Sequence, residues 1–117
     1  MWYVYMVRCE DGSHYTGSTP EPARRMQEHL SQSSTAAKYT RSHKVVSLDA
    51  LWRTDGKTDA LRLEALIKHL SKAKKLALIE QPDSLEVLFG EKLKGSRYTS
   101  VAGATLSNPI PNETNDP

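Results

Sequence analysis

The run from Trp2 to Ser18 constrains the fold more than any other stretch of this chain. Trp2-Tyr3-Val4-Tyr5-Met6-Val7-Arg8-Cys9 is dense in β-branched and aromatic residues and reads as a strand. It stops at Glu10-Asp11-Gly12-Ser13, and an Asp-Gly step between apolar runs is a strong hairpin signal. His14-Tyr15-Thr16-Gly17-Ser18 is then the returning strand. Tyr3 and Tyr5 share one face of the first strand. Tyr15 joins them only in one register. A two-residue loop at Asp11-Gly12 pairs Tyr15 with Arg8 and turns it away from Tyr5. A three-residue loop, Glu10-Asp11-Gly12 with Gly12 left-handed, pairs Tyr15 with Val7 and sets Tyr5 and Tyr15 on one face. Tyrosines are also ordinary strand formers, so the cluster alone has a plain packing explanation.

The remaining pattern alternates helices with one more strand. Thr19 with Pro20 opens a helix, whose Ala23, Met26 and Leu30 fall at i, i+3 and i+7 and should face the core. Ser31 to Thr35 closes it as a polar loop. Ala36 to Lys44 is basic. Val45 to Arg53 reads as a third strand, less cleanly alternating. Ala60, Leu63, Leu66, Ile67 and Leu70 mark one face of a helix from about Thr58 to Leu70, and Lys72 to Ile79 continues helically up to Pro82. Asp83 to Phe89 is a short helix candidate. From Gly95 to Pro117 there are small and polar residues without periodicity, which reads as a loosely ordered tail. The order β-β-α-β-α predicts an α+β domain over residues 1–81. Its core is a small three-stranded antiparallel sheet flanked by helices, and residues 82–117 add a short helix and a flexible tail.

Composition limits what such a domain can be. With 117 residues, 38% apolar and 26% charged, there is material for one domain and no reason to expect wholesale disorder. Cys9 is the only cysteine, which excludes an internal disulfide framework and suits a reducing cytoplasm. No apolar run approaches the roughly 20 residues that a membrane span needs. Residues 1–81 carry 13 Lys+Arg against 9 Asp+Glu, and residues 82–117 carry 3 against 5. A mildly basic body of this kind permits a nucleic-acid partner without demanding one.

Three further side chains are candidates for chemistry. Arg25 and His29 stand four apart on one side of the first helix, beside the stripe of Met26 and Leu30. An arginine at a core boundary can aim its fork at a phosphate, and a nearby histidine can donate to the same anion or relay a proton. Glu64 lies at the edge of the apolar face of the next long helix, next to Ala60 and Ile67, while Arg62, Lys68, His69 and Lys72 take the polar side. One border carboxylate, completed by water and substrate phosphate, suits Mg²⁺ or Mn²⁺. Each feature also has a plain reading as a solvated helical face.

Taken in order, these residues resemble the GIY-YIG nuclease superfamily over the first 80 residues, in its small single-domain bacterial (YhbQ-like) branch. Tyr3-Val4-Tyr5 stands where the superfamily has Gly-Ile-Tyr, and Tyr15-Thr16-Gly17 where it has Tyr-Ile-Gly. Arg25 follows Tyr15 by ten residues, the family spacing, with His29 one turn on and Glu64 on the next long helix. Val7-Arg8-Cys9, Asp11-Gly12-Ser13, Arg24-Arg25, Ala37-Lys38-Tyr39-Thr40-Arg41 and Ile67-Lys68 add to the likeness. Tyr3 departs from the first glycine and Thr16 from the second isoleucine. Neither position supplies reactive atoms. The larger family nucleases carry a separate DNA-binding domain, which these residues lack.

The resemblance implies phosphodiester hydrolysis with one divalent ion, Mg²⁺ or Mn²⁺, and Glu64 as its direct protein ligand. Arg25 would bind the scissile phosphate and His29 would hydrogen-bond it. Tyr15 would help deprotonate the attacking water while Tyr5 positions it, or both tyrosines would only orient that water. Arg24, Lys38, Arg41 and Lys44 would contact DNA, more than RNA, and Tyr39 would stack on an unpaired base. The expected activity is a structure-specific endonuclease linked to repair or recombination, with a protein partner supplying specificity. A nucleic-acid-binding module without cleavage and a protein-interaction module are the competing readings.

Overall fold

A computed structural model describes residues 1–111. Strands β1 (Trp2–Cys9), β2 (His14–Thr19), β3 (Val45–Thr54) and β4 (Tyr98–Ser100) form one antiparallel sheet in the order β2-β1-β3-β4. Helices α1 (Pro22–Ser31) and α2 (Lys38–Ser42) precede β3. Helices α3 (Lys57–Lys68), α4 (Lys72–Glu80) and α5 (Leu85–Phe89) follow it, and a 3₁₀ turn at Gly90–Leu93 leads to β4. No helix among the described residues is long and apolar enough to cross a membrane.

The first hairpin adopts the three-residue loop. Cys9 N–H donates to Ser13 O at 2.8 Å, Gly12 has φ +86°, and Val7 pairs with Tyr15. Tyr5 therefore lies opposite Gly17, with Tyr15 on the same face. The uneven alternation of β3 also has a cause. Pairing with β1 shifts register between Met6 and Val7, where Asp49 is the extra residue on β3. There Asp49 takes His14 Nε2 at 2.8 Å, Ser47 Oγ donates to its other oxygen, and Arg8 Nε donates to Ser47 Oγ at 3.2 Å, which ties three strands together.

The sheet has four strands, not three, and the expected loose tail is corrected over residues 95–111. Tyr3 to Val7 are all buried, so β1 is covered on both faces. Val4, Met6, Ala50 and Trp52 pack under Ala60, Leu63 and Ile67 of α3, with Leu78 and Leu85 beyond. Tyr3, Tyr5, Val7 and Leu51 form the other core with Met26 of α1. One short helix cannot close that second face. Val101, Ala104, Leu106 and Ile110 pack against it, which gives the final segment a physical reason to be ordered. Its docking is fixed by Thr54 Oγ1 donating to Arg97 O at 2.8 Å, and by Val101 N–H donating to Leu51 O at 2.8 Å. The rest of the expected tail, residues 112–117, lies outside the described residues.

Helix α1 also differs in detail. Pro22, not Pro20, occupies its first turn, and Thr19 remains in β2. Its inward face is Pro22, Met26 and His29, while Ala23 and Leu30 are exposed. The stripe is therefore turned by about one residue. A histidine takes the place of a leucine because a polar partner waits for it beneath the helix.

Candidate active site

That partner is Tyr5. Its ring lies against Gly17 on the neighbouring strand, where an added Cβ would come within 2.6 Å of Tyr5 Cζ and collide with the hydroxyl. The missing side chain lets the tyrosine lie flat across the hairpin and aim its hydroxyl at α1. Tyr5 Oη is 2.9 Å from His29 Nε2 and accepts from Arg25 Nε at 3.3 Å. His29 is 0% exposed, and its Nδ1 is 2.8 Å from Thr40 Oγ1 of α2. Tyr15 is half-buried, with its ring 6.3 Å from that of Tyr5 and 5.9 Å from His29. Four of the five expected site residues therefore meet on one sheet face.

The fifth, Glu64, comes from α3, the helix that covers the opposite face. It arrives past β2, an edge strand, which is where side chains from two faces can meet. Ser18 Oγ donates to Glu64 Oε1 at 2.6 Å and Lys68 Nζ to Glu64 Oε2 at 2.8 Å. Lys68 Nζ also stands 5.6 Å from the Tyr15 ring centroid, so a cation links the carboxylate to the phenol.

The electrostatics follow from this packing. Burial pushes the Tyr5 phenol well above its ordinary value; Arg25 opposes that by hydrogen bond and charge, while Tyr15 and Glu64 add to it. Burial and the Arg25 charge pull His29 down from 6.5 to about 4, so its ring is neutral at physiological pH. Burial works against the Lys68 ammonium, but the Glu64 carboxylate more than offsets it and its pKa lies above the ordinary value.

Arg25 is held by more than Tyr5. Its Nη1 donates to Glu28 Oε1 at 3.0 Å and to Thr35 O at 2.7 Å. Those bonds use Nε and Nη1, so Nη2 is the arm left to meet an anion. Hydrogen bonding from Thr35 and from Arg25 holds the Glu28 carboxyl below its usual range. Sequence reasoning missed Glu28, Ser18 and the roles of Thr40 and Lys68. Glu28 had a signal, its i, i+3 spacing from Arg25.

Two expected roles change. His29 does not stand open to a phosphate, since it is buried with both ring nitrogens engaged. Tyr39 does not offer a free face to a base. It stacks on His43 at 3.9 Å and 5°, packs beside Tyr15 at 6.2 Å and 15°, and donates its hydroxyl to Ser13 Oγ at 2.6 Å. Lys38 and Arg41 on α2, Lys44 just after it, and Arg24 on α1 are exposed, with Arg24 paired to Glu21 at 2.9 Å.

Among the described residues no group of three or more His, Cys, Asp or Glu comes together, which excludes a closed structural zinc site there. Glu64 fits a hard cation that takes one carboxylate and completes its shell from water and substrate oxygens. Ser18 and Lys68 occupy those oxygens and would have to yield.

A buried tyrosine–histidine pair, an anchored arginine and a border carboxylate thus meet around the first β-hairpin. The chain belongs to the GIY-YIG family: the model of the GIY-YIG catalytic domain matches residues 1–77. It is 47% identical to the UPF0213 protein FN1575 of Fusobacterium nucleatum over 83 residues, covering 71% of this chain and 81% of that protein. It is 44% identical to the UPF0213 protein H16_B0156 of Cupriavidus necator over 85 residues, covering 73% and 90%. A solution NMR structure of the UPF0213 protein BH0048 from Bacillus halodurans is 42% identical, covers 68% of this chain and 84% of that one, and aligns with a TM-score of 0.43.

Proposed function

We propose that this domain is a divalent-metal-dependent endonuclease hydrolysing DNA phosphodiester bonds, structure-specific and linked to repair or recombination. The observation that carries the reading is the anchored guanidinium of Arg25. Tyr5, Glu28 and Thr35 hold it on three sides and leave one arm for a phosphate. Charge builds on the phosphate in the transition state, and a pre-set donor stabilises it without reorganising. A cation on Glu64 would neutralise charge at the scissile phosphate and acidify the attacking water.

The protein's own groups do the rest. Tyr15, half-buried beside Tyr5, His29 and Lys68, would orient the attacking water. Tyr5 and His29 lie behind it and hold Arg25. Lys38, Arg41, Lys44 and Arg24 give the phosphate backbone a shallow basic surface beside α1 and α2. That surface is small, which favours recognition of a branched or frayed shape, with further specificity from a protein partner.

The test is cleavage of flap, nicked and linear DNA with Mg²⁺ or Mn²⁺, comparing the wild type with Glu64→Ala and Arg25→Ala. Wild-type activity no higher than that of Glu64→Ala would sink the reading. The Lys68–Glu64 ion pair favours a second reading, a binding module in which lysine permanently holds the carboxylate. DNA binding without cleavage at any Mn²⁺ concentration would select it.

A further inference from the structure

The hydrogen atoms around His29 can be placed by counting donors. Thr40 Oγ1 lies 3.1 Å from Ala37 O, and a carbonyl oxygen can only accept, so the threonine hydroxyl donates there. Its lone pairs then face His29 Nδ1 at 2.8 Å, which must carry the hydrogen. The other end gives the same answer independently. Tyr5 is 1% exposed, and its oxygen already accepts from Arg25 Nε. Its hydroxyl hydrogen needs an acceptor, and His29 Nε2 at 2.9 Å is the one in reach. With the opposite tautomer, Tyr5 Oη would face two donors and its own hydrogen would be stranded in the core.

We infer that Thr40 is a positioning residue for the active site, fixing His29 as the Nδ1–H tautomer so that the Tyr5 hydroxyl donates to His29 and its lone pair receives Arg25. The chain has one direction: Arg25 Nε–H to Tyr5, Tyr5 O–H to His29, His29 Nδ1–H to Thr40, Thr40 O–H to Ala37. Helix α2, which brings Thr40, thereby sets the attitude of a guanidinium on α1. Burial keeps the imidazole neutral at physiological pH, so one nitrogen is then a bare acceptor. The catalytic half of this inference rests on the nuclease reading above; the tautomer half does not.

The experiment uses the full chain labelled with ¹⁵N and two-bond ¹H–¹⁵N correlation of the His29 ring. The wild type should show hydrogen on Nδ1 and a bare Nε2. Thr40→Val removes the hydroxyl at nearly constant volume and leaves only the Tyr5 end to set the ring, so His29 should become a mixture of tautomers, with turnover on DNA falling about tenfold, as for loss of an orienting partner. Thr40→Ser should restore both the ring spectrum and turnover. A wild-type ring with Nε2–H overturns the inference, even if Thr40→Val does not fold. So does a folded Thr40→Val protein with an unchanged ring spectrum. A wild type with the expected ring spectrum but no cleavage supports Thr40 and refutes the nuclease reading.

Discussion

Gly17 and Tyr5 face one another across the first hairpin, and the tyrosine ring fills the space that a side chain on Gly17 would need. Gly17→Ala should therefore push the Tyr5 ring from its bed rather than merely stiffen a strand. A destabilisation of about 1–3 kcal/mol is expected in urea unfolding, from overpacking. DNA cleavage should be lost beyond what that destabilisation explains, because Arg25 loses its anchor. Unchanged cleavage in Gly17→Ala would show that the position of Tyr5 is not critical.

Arg25→Lys keeps the charge and removes the fork. A lysine cannot hold Tyr5, Glu28 and Thr35 while reaching a phosphate. Turnover should fall by about 10²–10³, the usual cost of losing one pre-set transition-state donor, with DNA binding changed far less. A loss confined to binding would make Arg25 a mere tether.

On the proposed function, a divalent ion would have to compete with Lys68 for Glu64. Lys68→Met should tighten Mn²⁺ binding in calorimetry, and Glu64→Gln should abolish it while the melting temperature stays near wild type. Equal Mn²⁺ affinity in wild type and Lys68→Met would mean that the cation does not use this carboxylate. Loss of fold in Glu64→Gln would make Glu64 structural.

His29 gives stability a pH dependence. Its folded pKa, about 4, lies below the ordinary 6.5. The unfolded chain thus binds the extra proton first as pH falls. The contribution is present above 6.5 and is lost progressively between 6.5 and about 4. His29→Gln should flatten that limb of a stability-versus-pH curve, and an unaltered limb would mean that other groups produce it.

Removing residues 95–117 deletes β4 and the apolar cover over the tyrosine face. At the usual value of buried side chains the cost is on the order of 3 kcal/mol. For a domain of this size the melting temperature should fall by on the order of 10 °C. Melting within a degree or two of the full chain would show that the segment is dispensable.

The hairpin, the helices and the tyrosine pair are legible in the sequence because each rests on local chemistry. An Asp-Gly turn, an unbroken apolar run and a spacing of four on a helix need no distant partner. One ambiguity was small but decisive: a single residue of loop length separates two faces for Tyr15, and left-handed Gly12 resolves it. The rest depended on contacts between distant segments. His29 looks like a polar neighbour of Leu30 until Tyr5 is placed below it. A strand as short as Tyr98–Ser100 has no periodicity to read. Thr40 meets His29 only because the loop after α1 folds back. The apolar run Tyr3 to Val7 did hold a clue to the final segment, since a strand buried on both faces needs two covers.

The rings of His43, Tyr39 and Tyr15 form a continuous column from the basic helix α2 to the mouth of the site. Anything that leans on that helix leans on the phenol. On the proposed function, a nucleic acid arriving there would meet a wall already assembled, so little ordering entropy would be spent on docking. Recognition and chemistry in so small a domain would then be one mechanical unit, joined through this column of rings.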